Sequence, residues 1–149
     1  MKRWLGLDLG KVRIGVALSD PLGFTAQPLS VLKSAGTQKD IIAIGELVNQ
    51  YEVSQVVVGL PLNMDGTESS TTQRVREFTE KLAGRLTIPV LYVDERLTSK
   101  QAERIMIEGD TRREDRREKI DKVAAALLLQ SALSGAPLVN LKNDRPGVE

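Results

Sequence analysis

Residues 3–20 read RWLGLDLGKVRIGVALSD, and this stretch decides the fold that we predict for the chain. Two runs rich in apolar and β-branched residues, 4–9 and 12–19, flank a two-residue break, a pattern that predicts a β-hairpin. Because strand side chains alternate between faces, Asp8 lies opposite the three leucines of the first run. A carboxylate beside a sheet core needs a partner. Asp8 is therefore either a ligand-binding residue or a turn residue that bonds the hairpin backbone.

The composition narrows the possible chemistry. The chain has 149 residues, no cysteine and no histidine, so we expect one domain without disulfides, a thiol nucleophile or the usual zinc ligands. Any metal must be held by oxygen atoms, which favours Mg²⁺ or Mn²⁺. The net charge of +1 does not by itself indicate a nucleic-acid-binding protein. No apolar run reaches the roughly 18 residues needed to span a membrane, and the N-terminus has no signal-peptide pattern, so we expect a soluble cytoplasmic protein without membrane contact.

Beyond the hairpin, the sequence alternates between patterns typical of strands and of helices. Strands are predicted at residues 25–33, 55–60 and 89–93. Helices are predicted at residues 37–51 and 69–86, from Thr98 onward, and at 117–133 after a break at 109–116. This order predicts an α/β domain over residues 1–138, built on a mixed five-stranded sheet of three antiparallel strands followed by two parallel ones and flanked by helices. Residues 139–149 are predicted to form a loose C-terminal tail.

Three remote segments bring polar residues to one edge of the predicted sheet. In open α/β sheets, ligands bind beyond the carboxyl ends of the parallel strands. Asp8 lies near the end of the first strand, and Asn63 lies in the loop after the next parallel strand. Asp94, Glu95 and Arg96 follow the last strand. Either Asp94 or Glu95 faces the edge, and the alternative for this tripeptide is a local ion pair.

Another acid lies in the last predicted helix. Asp121 is followed at helical spacing by alanine and leucine residues, which places it near the buried side of that helix. The alternative is a first-turn acid that the helix dipole stabilises. Together, Asp8, Glu95 and Asp121 could hold one or two divalent cations. Such cations activate water and stabilise the leaving oxygen in phosphodiester hydrolysis, a mechanism that needs neither histidine nor cysteine.

Four ordered motifs carry a resemblance to a known family. They read GLDLGKVRIGVALSD at 6–20, VVVGLPLNMDG at 56–66, VDERLTS at 93–99 and DKVAAALLLQ at 121–130. In this order and spacing they resemble the YqgF (RuvX) family, from residue 3 to about residue 140. That resemblance implies an RNase H-like fold similar to the RuvC-type resolvases. It also implies that Asp8, Glu95 and Asp121 are the catalytic, metal-binding acids.

Basic and polar residues near the acids are candidate nucleic-acid contacts. Lys11 and Arg13 flank Asp8 across the hairpin, and Asn63 and Arg96 lie beside the sheet edge. Residues 112–119, which we call the basic segment, read RREDRREK and precede Asp121. We predict that this segment is a mobile basic flap over the site. Its contacts would come from Arg112, Arg113, Arg116 and Arg117. The alternative is a solvated, charged helix start.

Members of the family are described as Holliday junction resolvases and as nucleases that process precursor 16S rRNA. The resemblance therefore implies a divalent-metal-dependent endonuclease, which we predict to process the 5′ end of precursor 16S rRNA. Its partners would be structured RNA or branched DNA and ribosomal precursor particles, and it would act as a monomer or homodimer. The alternatives are a junction resolvase acting on branched DNA and a non-catalytic RNA- or ribosome-associated factor.

A nucleotide-binding ATPase is a third class to consider. Hairpins with an Asp-x-Gly sequence also occur in actin-like and sugar-kinase-like folds, which place ATP between two domains. A chain of 149 residues lacks the second domain, and the P-loop spacing is absent.

Overall fold

The fold is known from a computed structural model, which describes residues 3–96 and 113–140. For residues 113–118 and 140 it describes the backbone alone. The helix predicted to begin at Thr98, and Arg112 of the basic segment, lie outside the described residues.

Six strands form one sheet in the order β3-β2-β1-β4-β5-β6. Their bounds are β1 Arg3–Leu9, β2 Arg13–Ser19, β3 Ala26–Lys33, β4 Val53–Leu60, β5 Val90–Asp94 and β6 Val139–Asn140. The first three strands pair antiparallel, and β4 and β5 continue the sheet parallel to β1. The predicted mixed sheet of three antiparallel and two parallel strands is therefore confirmed.

The sixth strand is an addition to the predicted sheet. Val139 pairs with Tyr92 and Asn140 with Leu91, antiparallel to β5, at the start of the segment predicted as a loose tail. A two-residue strand is too short to show alternation in the sequence, because one repeat of the pattern already takes two residues. Residues 141–149 lie outside the described part of the chain, so the domain boundary stays a prediction.

Three helices are described: α1 Thr37–Gln50, α2 Ser70–Arg85 and α3 Arg113–Leu133. The prediction of a break through residue 116 is wrong at its end, because α3 already begins at Arg113. The residues from 113 to 119 are mostly arginine, glutamate and lysine, which are good helix formers and need no apolar stripe to continue a helix. In the described part of the chain, no helix is long and apolar enough to cross a bilayer.

The two faces of the sheet differ in side-chain size, and this difference decides where each helix packs. On one face, large aliphatic side chains such as Leu5, Leu7 and Val58 pack against α1 and α2 in the main core. The other face carries small residues, including Gly6 and Ala17, and packs against α3. A Cβ added at Gly6 would lie only 2.8 Å from a side-chain atom of α3. The absence of a side chain at Gly6 therefore lets α3 lie close to the strand that carries Asp8.

Candidate active site

Asp8 and Glu95, which we call the acid pair, come from strands that are not neighbours. Asp8 is the sixth residue of β1, and Glu95 directly follows β5, while β4 lies between these strands. Gly59 of β4 fills the position between them without a side chain. A Cβ at Gly59 would collide with the Glu95 carboxylate and lie 2.9 Å from Leu128. The glycine therefore leaves the space through which Glu95 reaches Asp8, and the two carboxyl groups are hydrogen-bonded.

The acid pair shares one proton near neutral pH. Burial raises the pKa of Glu95 to about 8, and the negative charge of Asp8 together with their hydrogen bond adds to this effect. Burial also raises the pKa of Asp8 to about 6; repulsion by Asp121 raises this pKa further, and the hydrogen bond with Glu95 lowers it. Two adjacent carboxylates in a poorly hydrated site cannot both ionise easily. Glu95 is thus the donor and Asp8 the acceptor at neutral pH.

Asp121 lies next to the acid pair because α3 touches β2 at this point. Gly15 pairs with Asp8 across the hairpin, and a Cβ at Gly15 would collide with the backbone carbonyl oxygen of Asp121. The Asp121 carboxylate accepts a hydrogen bond from Nε of Arg13 at 3.1 Å. Since α3 begins at Arg113, Asp121 lies in its third turn. The alternative of a first-turn acid stabilised by the helix dipole is therefore wrong.

Alternation in β5 decides between Asp94 and Glu95. Asp94 lies on the opposite face of the sheet, is exposed, and accepts a 2.7 Å hydrogen bond from Nε of Arg96. Arg96 also donates to the carbonyl oxygen of Met64, which ties the loop after β4 to the end of β5. The local ion pair considered for this tripeptide therefore exists between Asp94 and Arg96. Glu95 is the acid that meets Asp8.

The remaining candidate contacts have different surroundings. Lys11 is exposed in the hairpin turn, one residue beyond Gly10. Arg13 lies inside the site, bonded to Asp121, rather than on its outer surface. Nδ2 of Asn63 donates to the Thr67 hydroxyl at 2.9 Å, a bond within the loop after β4. Of these three residues, Lys11 is the one that is both positively charged and exposed.

The basic segment lies partly within α3. Arg113, Arg116 and Arg117 belong to the first turns of that helix, and Arg112 lies outside the described residues. A helical backbone in residues 113–119 agrees with the alternative of a charged helix start. The predicted role of these arginines in nucleic-acid binding stays a prediction.

Arg74 of α2 is a site residue that the sequence patterns did not reveal. Its guanidinium donates to the carbonyl oxygen of Leu9 at 3.2 Å and makes a longer contact of 3.5 Å with that of Gly10. Its positive charge also lowers the pKa of Glu95, against the larger effect of burial. Arg74 precedes a buried valine in an ordinary amphipathic helix, and no motif or spacing distinguishes it from the other arginines of α2.

The acid pair offers the ligand atoms that a hard divalent cation prefers. Carboxylate oxygens are the usual protein ligands of Mg²⁺ and Mn²⁺, and a bound cation would relieve the repulsion by Asp8 that contributes to the raised pKa of Glu95. Within residues 3–96 and 113–140, no three acidic side chains are already assembled into one metal-binding group. The Asp121 carboxylate, which Arg13 contacts through Oδ2, lies beside this pair. Two of the three predicted ligands therefore fit a cation directly.

Sequence comparison relates nearly the whole chain to known proteins. The model of the RuvX family, described as "Holliday junction resolvase", matches residues 2–135. A protein of Syntrophomonas wolfei is 48% identical over 136 residues, which cover 91% of this chain and 96% of that protein. A protein of Pelotomaculum thermopropionicum is 48% identical over 148 residues, which cover 97% of this chain and 96% of that protein. Both are named "Putative pre-16S rRNA nuclease".

Two solved structures with a similar fold are Holliday junction resolvases. RuvC of Thermus thermophilus in complex with a Holliday junction superposes with a TM-score of 0.60 at 16% identity, covering 93% of this chain and 100% of RuvC. The Fowlpox virus resolvase bound to Holliday junction DNA gives a TM-score of 0.52 at 16% identity, covering 89% of this chain and 97% of the resolvase. At this level of identity the likeness concerns the fold alone, and it confirms the expected RNase H-like architecture.

Proposed function

The chain belongs to the RuvX family, and from this premise we propose that it is a divalent-metal-dependent endonuclease that processes the 5′ end of precursor 16S rRNA. The observation that carries the proposal is the half-buried, hydrogen-bonded pair of Asp8 and Glu95, with Asp121 beside it at the edge of the sheet. The choice of RNA rests on the names of the curated relatives. Its partners are then structured RNA and ribosomal precursor particles in the cytoplasm.

All three acids have the same task in this proposal. Asp8 and Glu95 would hold Mg²⁺ or Mn²⁺, with Asp121 as the third ligand. When bound, such a cation supplies an activated water and stabilises the charge on the leaving oxygen. Water attacks the phosphorus in line with that oxygen, without a covalent enzyme intermediate. The products carry a 5′ phosphate and a 3′ hydroxyl.

Positive side chains guide the nucleic acid toward the acids. Exposed Lys11 lies two residues after Leu9, and half-buried Arg13, bonded to Asp121, would meet a phosphate group that reaches the acids. The arginines of the basic segment add attraction that does not depend on sequence. Asn63 and Arg96 hold the neighbouring loop, through Thr67 and the Met64 carbonyl respectively, and contact substrate from its surface.

A junction resolvase is the second candidate function. It is favoured by the description of the matching family model as a Holliday junction resolvase. The acid pair itself does not distinguish RNA from DNA, because both present the same phosphodiester group. A single assay with both substrates therefore separates the two candidates.

The experiment compares cleavage of a 5′-labelled precursor 16S rRNA fragment and of a four-way DNA junction, with Mg²⁺ or Mn²⁺. Asp8→Asn, Glu95→Gln and Asp121→Asn should each abolish cleavage while nucleic-acid binding largely survives, since each change keeps the side chain's shape. Glu46→Gln, an exposed position on α1, is the matched control and should cleave normally. Activity in EDTA or a 2′,3′-cyclic phosphate product would contradict the mechanism. Binding of RNA by the wild type without cleavage of either substrate would support the non-catalytic alternative.

A further inference from the structure

Arg74 connects α2 to the end of the strand that carries Asp8. The first turn of α2 is fixed to the loop after β4, because the Thr72 hydroxyl donates to the carbonyl oxygen of Pro61. Val75, in the next turn, is only 1% exposed and anchors the helix in the main core. From this fixed base, Arg74 reaches the carbonyl oxygens of Leu9 and Gly10.

Among the described residues, Arg74 has a buried donor without a partner, which lowers the stability of the fold, and this indicates a role other than stabilisation. Nε of Arg74 is buried and has no hydrogen-bond partner within the described part of the chain. A buried donor without a partner destabilises a protein, so an uncharged side chain would serve simple packing better. The two terminal nitrogens instead contact the two carbonyl groups that directly follow Asp8 in the chain, the Leu9 oxygen at 3.2 Å and the Gly10 oxygen at 3.5 Å.

We infer that Arg74 is a positioning residue of the acid pair: its guanidinium fixes the carboxyl end of β1, so that Asp8 faces Glu95 in the geometry that receives a divalent cation. This inference rests on the proposed function of the acid pair. Arginine suits the task because its planar guanidinium presents several donors at fixed angles and can hold two neighbouring carbonyl oxygens. A lysine keeps the positive charge but presents a single point of contact on a flexible stem.

Charge and positioning make opposite predictions for metal binding. If Arg74 acted only through its charge, its removal would strengthen the binding of a cation to the acid pair. If it positions Asp8, both Arg74→Gln and Arg74→Lys should weaken the binding of Mn²⁺. Residues that orient metal ligands typically change affinity or activity by about 10- to 100-fold when they are replaced.

The experiment measures Mn²⁺ binding to the full chain by isothermal titration calorimetry, together with kcat, KM and the thermal midpoint. Arg76→Gln is the matched control. Arg76 lies on the same helix, and its Nε forms an ion pair with Glu68 at 2.8 Å, away from the acids. The variant loses this ion pair. We expect about tenfold weaker Mn²⁺ binding and about tenfold lower kcat in both Arg74 variants, with little change in KM. The Arg76 variant should lose thermal stability alone.

Each contrary result overturns the inference. Unchanged or tighter Mn²⁺ binding in Arg74→Gln would reduce Arg74 to a charge. Wild-type Mn²⁺ binding in Arg74→Lys would show that the planar guanidinium does not position Asp8. A raised KM with unchanged kcat in the Arg74 variants would make Arg74 a substrate contact. An equal loss of Mn²⁺ binding and kcat in Arg76→Gln would show that Arg74 acts only through stability. If the wild type cleaves neither substrate, the proposed function fails, while the Mn²⁺ titration still decides the role of Arg74.

Discussion

Replacing Glu95 by glutamine should change how the stability of the protein depends on pH. In the folded protein without metal, the pKa of Glu95 is raised from 4.5 to about 8, chiefly by burial. Between these values the folded chain keeps a proton that the unfolded chain has released. The stability that this proton supports is fully present below the unfolded pKa and is lost as the pH rises through the folded pKa.

The size of the effect follows from the single shared proton. One extra proton bound by the folded state lowers the free energy of unfolding by about 1.4 kcal/mol for each pH unit of increase. Between pH 6.5 and pH 8 the wild type should therefore lose about 2 kcal/mol. Glu95→Gln keeps a neutral hydrogen-bond donor beside Asp8, whose own pKa of about 6 lies below this interval. The variant should thus have a nearly flat profile and exceed the wild type most at pH 8.

Urea unfolding in EDTA at four pH values between 6.5 and 8 measures this difference. Glu46→Gln serves as the control, because Glu46 is exposed on α1 and its replacement should leave the wild-type slope unchanged. Parallel profiles for the wild type and Glu95→Gln would refute the shared proton. They would show that the buried pair ionises without cost.

Three further outcomes test other parts of the site. Mn²⁺ should raise the thermal midpoint of the wild type by mass action, and the shift should shrink in Asp8→Asn; an equal shift would locate the metal elsewhere. Gly15→Ala should destabilise the protein by about 2 kcal/mol or more in urea unfolding, because the new Cβ would collide with the Asp121 carbonyl oxygen. Its control is Gly45→Ala on α1, where the space is open, and this variant should stabilise the protein by up to about 1 kcal/mol. Replacing the four arginines of residues 112–117 by glutamine should weaken nucleic-acid binding and flatten its dependence on salt; an unchanged slope would make them ordinary surface residues.

Much of the fold follows from local patterns, while the site depends on where elements end. Alternation in residues 3–20 suffices to place Asp8 opposite the leucines, and the structure agrees. The choice between Asp94 and Glu95 needs the register of β5, because a shift of one residue moves a side chain to the other face.

Three features of the structure could not be predicted from the sequence patterns. The start of α3 was obscured because the basic segment has helix-forming residues without an apolar stripe. Arg74 was missed because its partners are backbone carbonyl groups, which every residue carries and no motif marks. The pairing of β6 with β5 likewise depends on a partner about fifty residues away in the chain.

Because Gly59 of β4 has no side chain, the spacing of the strands sets the distance that the two acidic side chains must span. Neighbouring strands lie roughly 4.8 Å apart, so the backbones of β1 and β5 are separated by about twice that distance. One short and one long carboxylic side chain together bridge this gap above Gly59. The lengths of aspartate at position 8 and glutamate at position 95 therefore belong to the geometry of the sheet, and a site with two aspartates would leave the gap unbridged.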